Sequence, residues 1–389
     1  MALSCYSCDA VIQNDQEIRC SCGEPLWVNI DSSNFSWPTD GPWSMWRYDS
    51  ILPVEVQPGI ATAAGGTPLV RASALDIDRC RVYVKVETVN PTGSFKDRGS
   101  ATGVLAAIEN SVDRVGTVSH GNMAISMAAI AAGHGIRCLV LVPTDISDER
   151  LRLISRFGAD IIQVEGPYSS LYYETHDIDD IMFVNSDAPY RVAGQKTVAY
   201  EICEQFGPTV PDAIVLPVSS GGQFSGIWKA LRELKIAGYI NRMPALYAVQ
   251  SEARAPIVSA FEHGRETVTP VAADETIAYS IGNIDPPSGN RVLAGIRESD
   301  GGAVAVSNSD LRQAQRDLAT KCGIAVETSS AVALAGARKL YKQNIIKPDS
   351  DVVIIATGTG LKENDSGFDD VDPPRTNIDE LAKTIEAIK

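Results

Sequence analysis

Asn90-Pro91-Thr92-Gly93-Ser94-Phe95-Lys96-Asp97-Arg98-Gly99 decides the fold. The stretch is a Pro- and Gly-containing turn between Val82–Val86, a short β-branched run, and Gly99–Glu109, a helix candidate. The same strand–turn–helix order recurs along the chain. Further strand candidates are Val115–Val118, Cys138–Val142, Ile161–Val164, Ala213–Val218, Ala245–Val249 and Val352–Ala356. Helix candidates between them are Asn122–Gly133, Ser147–Phe157, Tyr168–Asp177, Gln195–Phe206, Gln223–Ile236, Asp310–Cys322 and Ser330–Gln343. Strands without polar alternation, each followed by a helix, predict an α/β fold with parallel sheet buried on both faces. About 300 residues of this pattern exceed one ordinary domain, so two α/β layers are expected.

The 389 residues are 44% hydrophobic and 21% charged, which excludes a mainly disordered chain. Glycine and proline show no Gly-X-Y period, which excludes collagen. A net charge of −15 repels phosphate backbones, so nucleic acid is not an expected partner, although a locally positive pocket can still hold a small anion. No signal-peptide pattern opens the chain and no apolar run approaches the ~18 residues of a membrane span. The expectation is a cytoplasmic protein with no membrane partner and with reduced thiols.

The eight cysteines are unevenly spread. Cys5-Tyr-Ser-Cys8 and Cys20-Ser-Cys22-Gly23 form two knuckles whose four thiolates can hold one structural zinc, Zn2+. Residues 1–30 are thus expected to be a zinc-ribbon-like unit, too short to fold without metal. Surface thiols without metal are the plainer alternative. Cys80, Cys138, Cys203 and Cys322 stand alone and are expected to fill the core. Asp31–Gly66 is a connector with aromatic anchors at Trp37, Trp43, Trp46 and Tyr48 and a turn at Gly65-Gly66. Glu363–Arg375 is acidic with little to bury, and Asn377–Lys389 has the pattern of a short amphipathic helix.

Ligands of open α/β sheets gather where strand ends lead into helix N-termini, and four such junctions stand out. Lys96, near a helix start and partly desolvated, would have the depressed pKa of a nucleophilic amine that forms a Schiff base, though a loop lysine is more often a solvated charge. Asn122, in Ser119-His-Gly-Asn122, can cap a helix or donate to a ligand oxygen. Ser219, Ser220, Gly221 and Gly222 precede a helix; the run is either a plain turn or a nest for a phosphate. It matches neither nucleotide-binding glycine pattern. Thr357, after the most apolar strand, can bond a ring nitrogen or simply satisfy a turn.

Taken together and in order, these junctions resemble the threonine synthase family of fold type II (tryptophan-synthase-β-like) pyridoxal-phosphate enzymes. Gly66-Thr-Pro-Leu69, Lys85-Val-Glu87, the Lys96 stretch, Ser119-His-Gly-Asn122, Gly194-Gln-Lys-Thr197, Ser219-Ser-Gly-Gly222, Glu327-Thr-Ser-Ser330 and Thr357-Gly-Thr-Gly-Leu-Lys362 each resemble a family motif. The cysteine-rich head is similar to the ribbon some members carry. The resemblance implies a two-domain fold: a large cofactor domain from 31–110 and 195–362, a smaller nested α/β domain over 111–194, the 1–30 head and a 363–389 tail. It implies pyridoxal 5′-phosphate as cofactor. Lys96 would carry it as a Schiff base and then shuttle a proton, Asn122 would bond its 3-oxygen, Ser219, Ser220, Gly221, Gly222 and Gln223 would hold its phosphate, and Thr357 would bond its pyridine nitrogen. A neutral hydroxyl there tempers the electron sink and favours elimination and replacement over transamination. Asn185, Ser186 and Arg191 stand where the family contacts the phosphate of its substrate, a small phosphorylated amino acid, and a homodimer is implied.

Two departures bear on substrate. Met123 stands where the family has a hydroxyl, and His120 adds a titratable group near the substrate. Gln223 also replaces the usual asparagine of the phosphate loop. O-phospho-L-homoserine conversion to L-threonine is the leading expectation. The alternatives are cysteate-synthase-like β-replacement on O-phosphoserine, a threonine or serine dehydratase, and a zinc-ribbon interaction protein that has lost catalysis, against which the intact Lys96 counts.

Overall fold

A computed structural model describes residues 2–13, 17–30, 35, 37, 40–119, 121–144, 146–166, 168–178, 180–363 and 373–388, with the backbone alone at 168, 169, 177, 381, 382 and 388. Three antiparallel strands open the chain, β1 (Ala2–Cys5), β2 (Val11–Ile12) and β3 (Leu26–Asn29), in the order β2-β1-β3. The edge strand β4 (Leu69–Arg71) then pairs antiparallel with β5 (Arg81–Val86), and Lys96 starts α1 (Lys96–Glu109).

From there the alternation is regular: β6 (Arg114–Val118), α2 (Asn122–Gly133), β7 (Arg137–Pro143), α3 (Asp148–Ser155), β8 (Asp160–Val164), α4 (Tyr168–Glu174) and β9 (Met182–Phe183). These strands form a four-stranded, all-parallel sheet in the order β8-β7-β6-β9. The helices α5 (Pro189–Gln195) and α6 (Thr197–Phe206) lead back to β10 (Ala213–Pro217), α7 (Gly222–Ile236), β11 (Ala245–Ser251), α8 (Pro256–Glu262), α9 (Gly289–Glu298), β12 (Gly302–Val306), α10 (Asn308–Cys322), α11 (Thr328–Lys342) and β13 (Asp351–Ala356). They complete a six-stranded mixed sheet, β12-β11-β10-β13-β5-β4, parallel except at β4. α12 (Leu381–Ile388) closes the described chain, while 364–372 of the acidic tail lies outside the described residues.

The continuous apolar strands explain the burial. Ala213–Pro217 and Val352–Ala356 are buried at every position, as parallel strands covered on both faces must be. Helix α2 is buried unbroken from Met123 to Ala131, because it is apolar all round and lies inside the protein. Each of the seven anticipated strands is present. Helix α1 begins three residues before the expected Gly99, since Asp97 in its first turn accepts from the Thr92 amide and hydroxyl at 2.6 Å and folds the loop onto the helix start.

The head is less autonomous than its composition suggests. Leu3, Cys5, Cys20, Leu26 and Val28 belong to the same core as Ala101–Ala107 of α1, whereas Trp27 points into the core around α6 and α7. Tyr6 and Trp27 each meet Trp228 edge to face and tilt against one another, with centroids 5.1–6.0 Å apart. Among the connector aromatics, Trp46 and Tyr48 are buried; Trp43 is instead half exposed, with Arg47 stacked on its ring at 4.7 Å. Cys80, Cys138 and Cys203 are buried as expected, while Cys322 is only partly so.

Candidate active site

The C-terminal ends of β5, β6, β10 and β13 lead into a cavity of about 670 Å³ lined by Lys96, Asn122, the Pro217–Phe224 run and Thr357. The four sequence junctions therefore converge: β5, β13 and β10 are neighbours in one sheet, and the packing of the second sheet brings the β6 junction to them. Lys96 is partly exposed on the cavity wall, its Nζ 4.3 Å from the Phe95 ring centroid. Removal from water pushes the amine down to about 7, the Arg191 guanidinium adds to this, and Glu327 opposes it. At neutral pH a large share of Lys96 is the free nucleophile.

The glycine-rich loop has the geometry of an anion cup. Gly221 is left-handed at φ +93 and precedes the first turn of α7, whose leading amides have no partners within the helix. A Cβ at Gly222 would stand 2.1 Å from the Ser186 carbonyl oxygen, so the backbones of α7 and the 185–187 loop touch here as only glycine permits. Ser219 lines the cavity, the Ser220 hydroxyl accepts from Asn283 Nδ2 at 3.0 Å, and Gln223 keeps a buried Nε2 without a partner. Gln195, also on the wall, has a buried Oε1 without a partner. A lysine of lowered pKa, a helix-terminal cup and an unpaired buried Gln223 N–H donor fit a small aldehyde-bearing phosphate ligand such as pyridoxal phosphate.

The remaining site residues are placed unevenly. Asn122 is the first residue of α2 rather than its cap: its Nδ2 donates to Glu327 Oε2 at 2.8 Å and its Oδ1 accepts from Lys362. Thr357 Oγ1 lies 2.6 Å from the buried Ser330 Oγ, which also accepts from the Gly358 amide at 2.8 Å. Ser186 lines the cavity. Asn185 is spent on structure, accepting from the Val118 amide at 2.9 Å and donating to Thr175 Oγ1 at 3.0 Å. Arg191 is wholly buried in α5, donates to the Val184 carbonyl and Ser100, and is not on the cavity wall; its Nη2 has no partner. Of the expected clamp of Asn185, Ser186 and Arg191, only Ser186 stands on the cavity wall. Met123 is on the wall and 5% exposed. His120 lies outside the described residues.

Glu327, Ser330, Gln195 and Lys362, present in the sequence only as members of longer motifs with no role attached, also surround this site. Burial raises the Glu327 carboxyl above the usual range against the pull of Lys362 and the Asn122 amide. The Glu-Thr-Ser-Ser run carried a signal for Glu327 and Ser330, but no local pattern says that they face Asn122 and Thr357.

At the head, the four Sγ atoms of Cys5, Cys8, Cys20 and Cys22 lie within 4.8 Å of one another, with pairs at 3.6–3.8 Å. Tetrahedral thiolates at about 2.3 Å from zinc stand roughly 3.8 Å apart, so the donor set fits one Zn2+. Among the described residues no helix is long and apolar enough to cross a membrane.

Comparison with known proteins agrees with this geometry. Residues 60–358 match the family model described as pyridoxal-phosphate dependent enzyme. The chain is 36% identical to a threonine synthase of Methanocaldococcus jannaschii over 95% of this chain and 94% of that one, and 36% identical to that of Methanosarcina acetivorans over 98% of each. A threonine synthase of Mycobacterium tuberculosis is 34% identical over 86% of this chain and 92% of its own. Among solved structures, maize serine racemase shares the fold at TM-score 0.65 and 21% identity, over 83% of this chain and 92% of that chain. O-ureido-L-serine synthase does so at TM-score 0.65 and 22% identity, over 85% and 99%. This chain belongs to the pyridoxal-phosphate-dependent enzyme family, among its threonine synthase members, and is a lyase of that kind.

Proposed function

We propose that this lyase converts O-phospho-L-homoserine and water into L-threonine and phosphate. The supporting observation is the similarity to threonine synthases along nearly the whole chain, joined to a cavity that pairs Lys96 with a phosphate-sized cup and a second polar wall at Ser186. Bound pyridoxal phosphate supplies the electron sink that stabilises negative charge on substrate carbons. Ser219, Ser220, Gly221, Gly222 and Gln223 hold its phosphate, Asn122 fixes its 3-oxygen, and Thr357, held by Ser330, offers a neutral hydroxyl to its ring nitrogen. Lys96 anchors it, and its amine, poised near neutrality, then takes and returns protons at the substrate carbons. Ser186, with Asn185 and Arg191 behind it, serves the substrate phosphate, and His120 adds a titratable group near the substrate. A large domain (31–110 and 195–362) and a smaller one (111–194) provide the two walls. We further propose a cytoplasmic homodimer that takes no nucleic acid.

Met123 favours a second reading. A buried thioether where a hydroxyl would meet substrate phosphate shortens the pocket and suits O-phosphoserine, or a serine or threonine dehydratase. Phosphate release measured with O-phosphohomoserine beside O-phosphoserine separates the two. Release from phosphohomoserine at least tenfold faster supports the first; none from it overturns that reading.

A further inference from the structure

The sulfur-rich head touches the active site through two arginines. Arg291, wholly buried in α9, donates to the Leu26 carbonyl of β3 at 3.2 Å, to Ser225 Oγ at 3.0 Å and to Ser288 Oγ at 3.0 Å. Both serines support the anion cup. Ser225 Oγ donates to the Gly221 carbonyl at 2.8 Å, the Ser288 amide donates to the Ser220 carbonyl at 3.1 Å, and a Cβ on Gly221 would stand 2.9 Å from Ser288 Cβ. Arg19, between the two cysteine pairs, closes on the Gly23 carbonyl of the second knuckle. It also donates to Asp187 at 3.0 Å and to the Pro287 carbonyl at 2.8 Å. Asp187 is fully buried next to Ser186, and Pro287 precedes Ser288. A single small unit therefore grips the cup from below and spans it to the facing 185–187 loop.

We infer that the cysteine-held head braces the crevice, and that Arg19 and Arg291 are positioning residues transmitting its fold to the cofactor cup. The inference rests on the reading that Ser219 to Gln223 hold the cofactor's phosphate. A buried arginine that satisfies carbonyl and hydroxyl acceptors at once fixes their spacing, because an unpaired buried acceptor is costly. The cup's backbone then keeps its shape only while Leu26 and Gly23 are held, and the four thiolates hold both segments.

The test reads cofactor dissociation from the holoenzyme, by loss of its visible absorbance after dilution, with metal content and thermal midpoint measured alongside. Removing metal with a strong chelator is expected to speed dissociation about tenfold, and Arg291→Gln and Arg19→Gln, metal still bound, to do so to a similar extent. Because brace and arginines act in series, metal removal from Arg291→Gln should add less than about threefold. Multiplying effects, or unchanged dissociation in a folded, metal-free chain, would overturn the inference. If the stripped protein unfolds, metal-loaded Arg19→Gln decides alone, since its side chain is partly exposed; dissociation within twofold of wild type overturns the brace. Gln223→Ala serves as the control on the cup itself. If it leaves dissociation unchanged, the cup assignment fails; if it speeds dissociation while the arginine variants do not, only the brace fails.

Discussion

Asn122 Nδ2 donates to Glu327 Oε2 at 2.8 Å, joining two residues 205 positions apart at the lip of the cavity. Lys362 completes the set from the other side of the amide. The orientation of Asn122 is thereby fixed by a carboxylate that burial pushes up in pKa. Replacing Glu327 with Ala removes a charge-assisted bond worth about 1.5–3 kcal/mol, so kcat/KM should fall roughly 10- to 100-fold. Glu327→Gln should keep the geometry and lose less; equal losses in the two variants would show that Asn122 orientation is not what matters.

Lys96→Ala should abolish turnover while leaving the fold intact. In the wild type, reconstitution of the cofactor-free protein should accelerate with rising pH through about 7, because the amine is protonated below that value and free above it. A reconstitution rate that stays flat between pH 6 and 8 would contradict the lowered pKa.

Gly222→Ala places a methyl 2.1 Å from a backbone oxygen of Ser186, a contact that no side-chain rotation relieves. Cofactor affinity, read by spectral titration, should drop at least about tenfold as α7 moves off the 185–187 loop. Gly238→Ala, where nothing lies within 4 Å, offers the comparison without a clash, although its φ of +75 carries backbone strain of its own.

Below the site, Arg98 and Lys85 share the Glu201 carboxylate at 2.6 and 2.7 Å, all three without exposure, and Arg98 also pairs with Glu87. Burial would raise the Glu201 carboxyl, but the two cations more than reverse it and hold it well below the usual range. A carboxyl lowered on folding adds stability above its unfolded pKa and loses it as pH falls toward the folded one. Unfolding monitored from pH 5 downward should show a steeper loss in wild type than in Glu201→Gln, which keeps the contributions of other lowered carboxylates such as Glu233. That variant should be destabilised at pH 7 by about 3–5 kcal/mol, since it leaves buried Lys85 without a charged partner and Arg98 with Glu87 alone.

The purified chain should carry one zinc, and Cys8→Ser, at an exposed ligand position, should lower both metal content and thermal midpoint. A stoichiometry near zero in protein with reduced thiols would argue against a metal-held head.

Much of this molecule was legible before folding. Parallel strands buried on both faces need unbroken β-branched runs, so β5, β6, β7, β10 and β13 announce themselves, as do the turns after them that carry Lys96, Asn122, Gly221 and Thr357. Helix α5 was not legible. All seven of its residues are buried, so no polar face marks a helical period, and its proline looks like a turn although it sits in the helix's first turn, where proline is tolerated. Helix α9 does carry an amphipathic period, but the preceding Pro286-Pro287-Ser288 and its own Gly289 and Gly295 have the composition of a loop.

The sequence by itself therefore determined the class of fold and the cysteine set, because each depends on residue types at short spacing, and it reached the cofactor only through the ordered resemblance of its motifs to a known family. Tertiary structure alone decided which groups meet: Glu327 against Asn122, Ser330 against Thr357, Arg191 withdrawn into α5, and a head built into the core rather than tethered to it. Those pairings join residues tens to hundreds of positions apart. They are fixed by strand order and by the cost of leaving buried polar atoms unpaired, neither of which acts over local sequence.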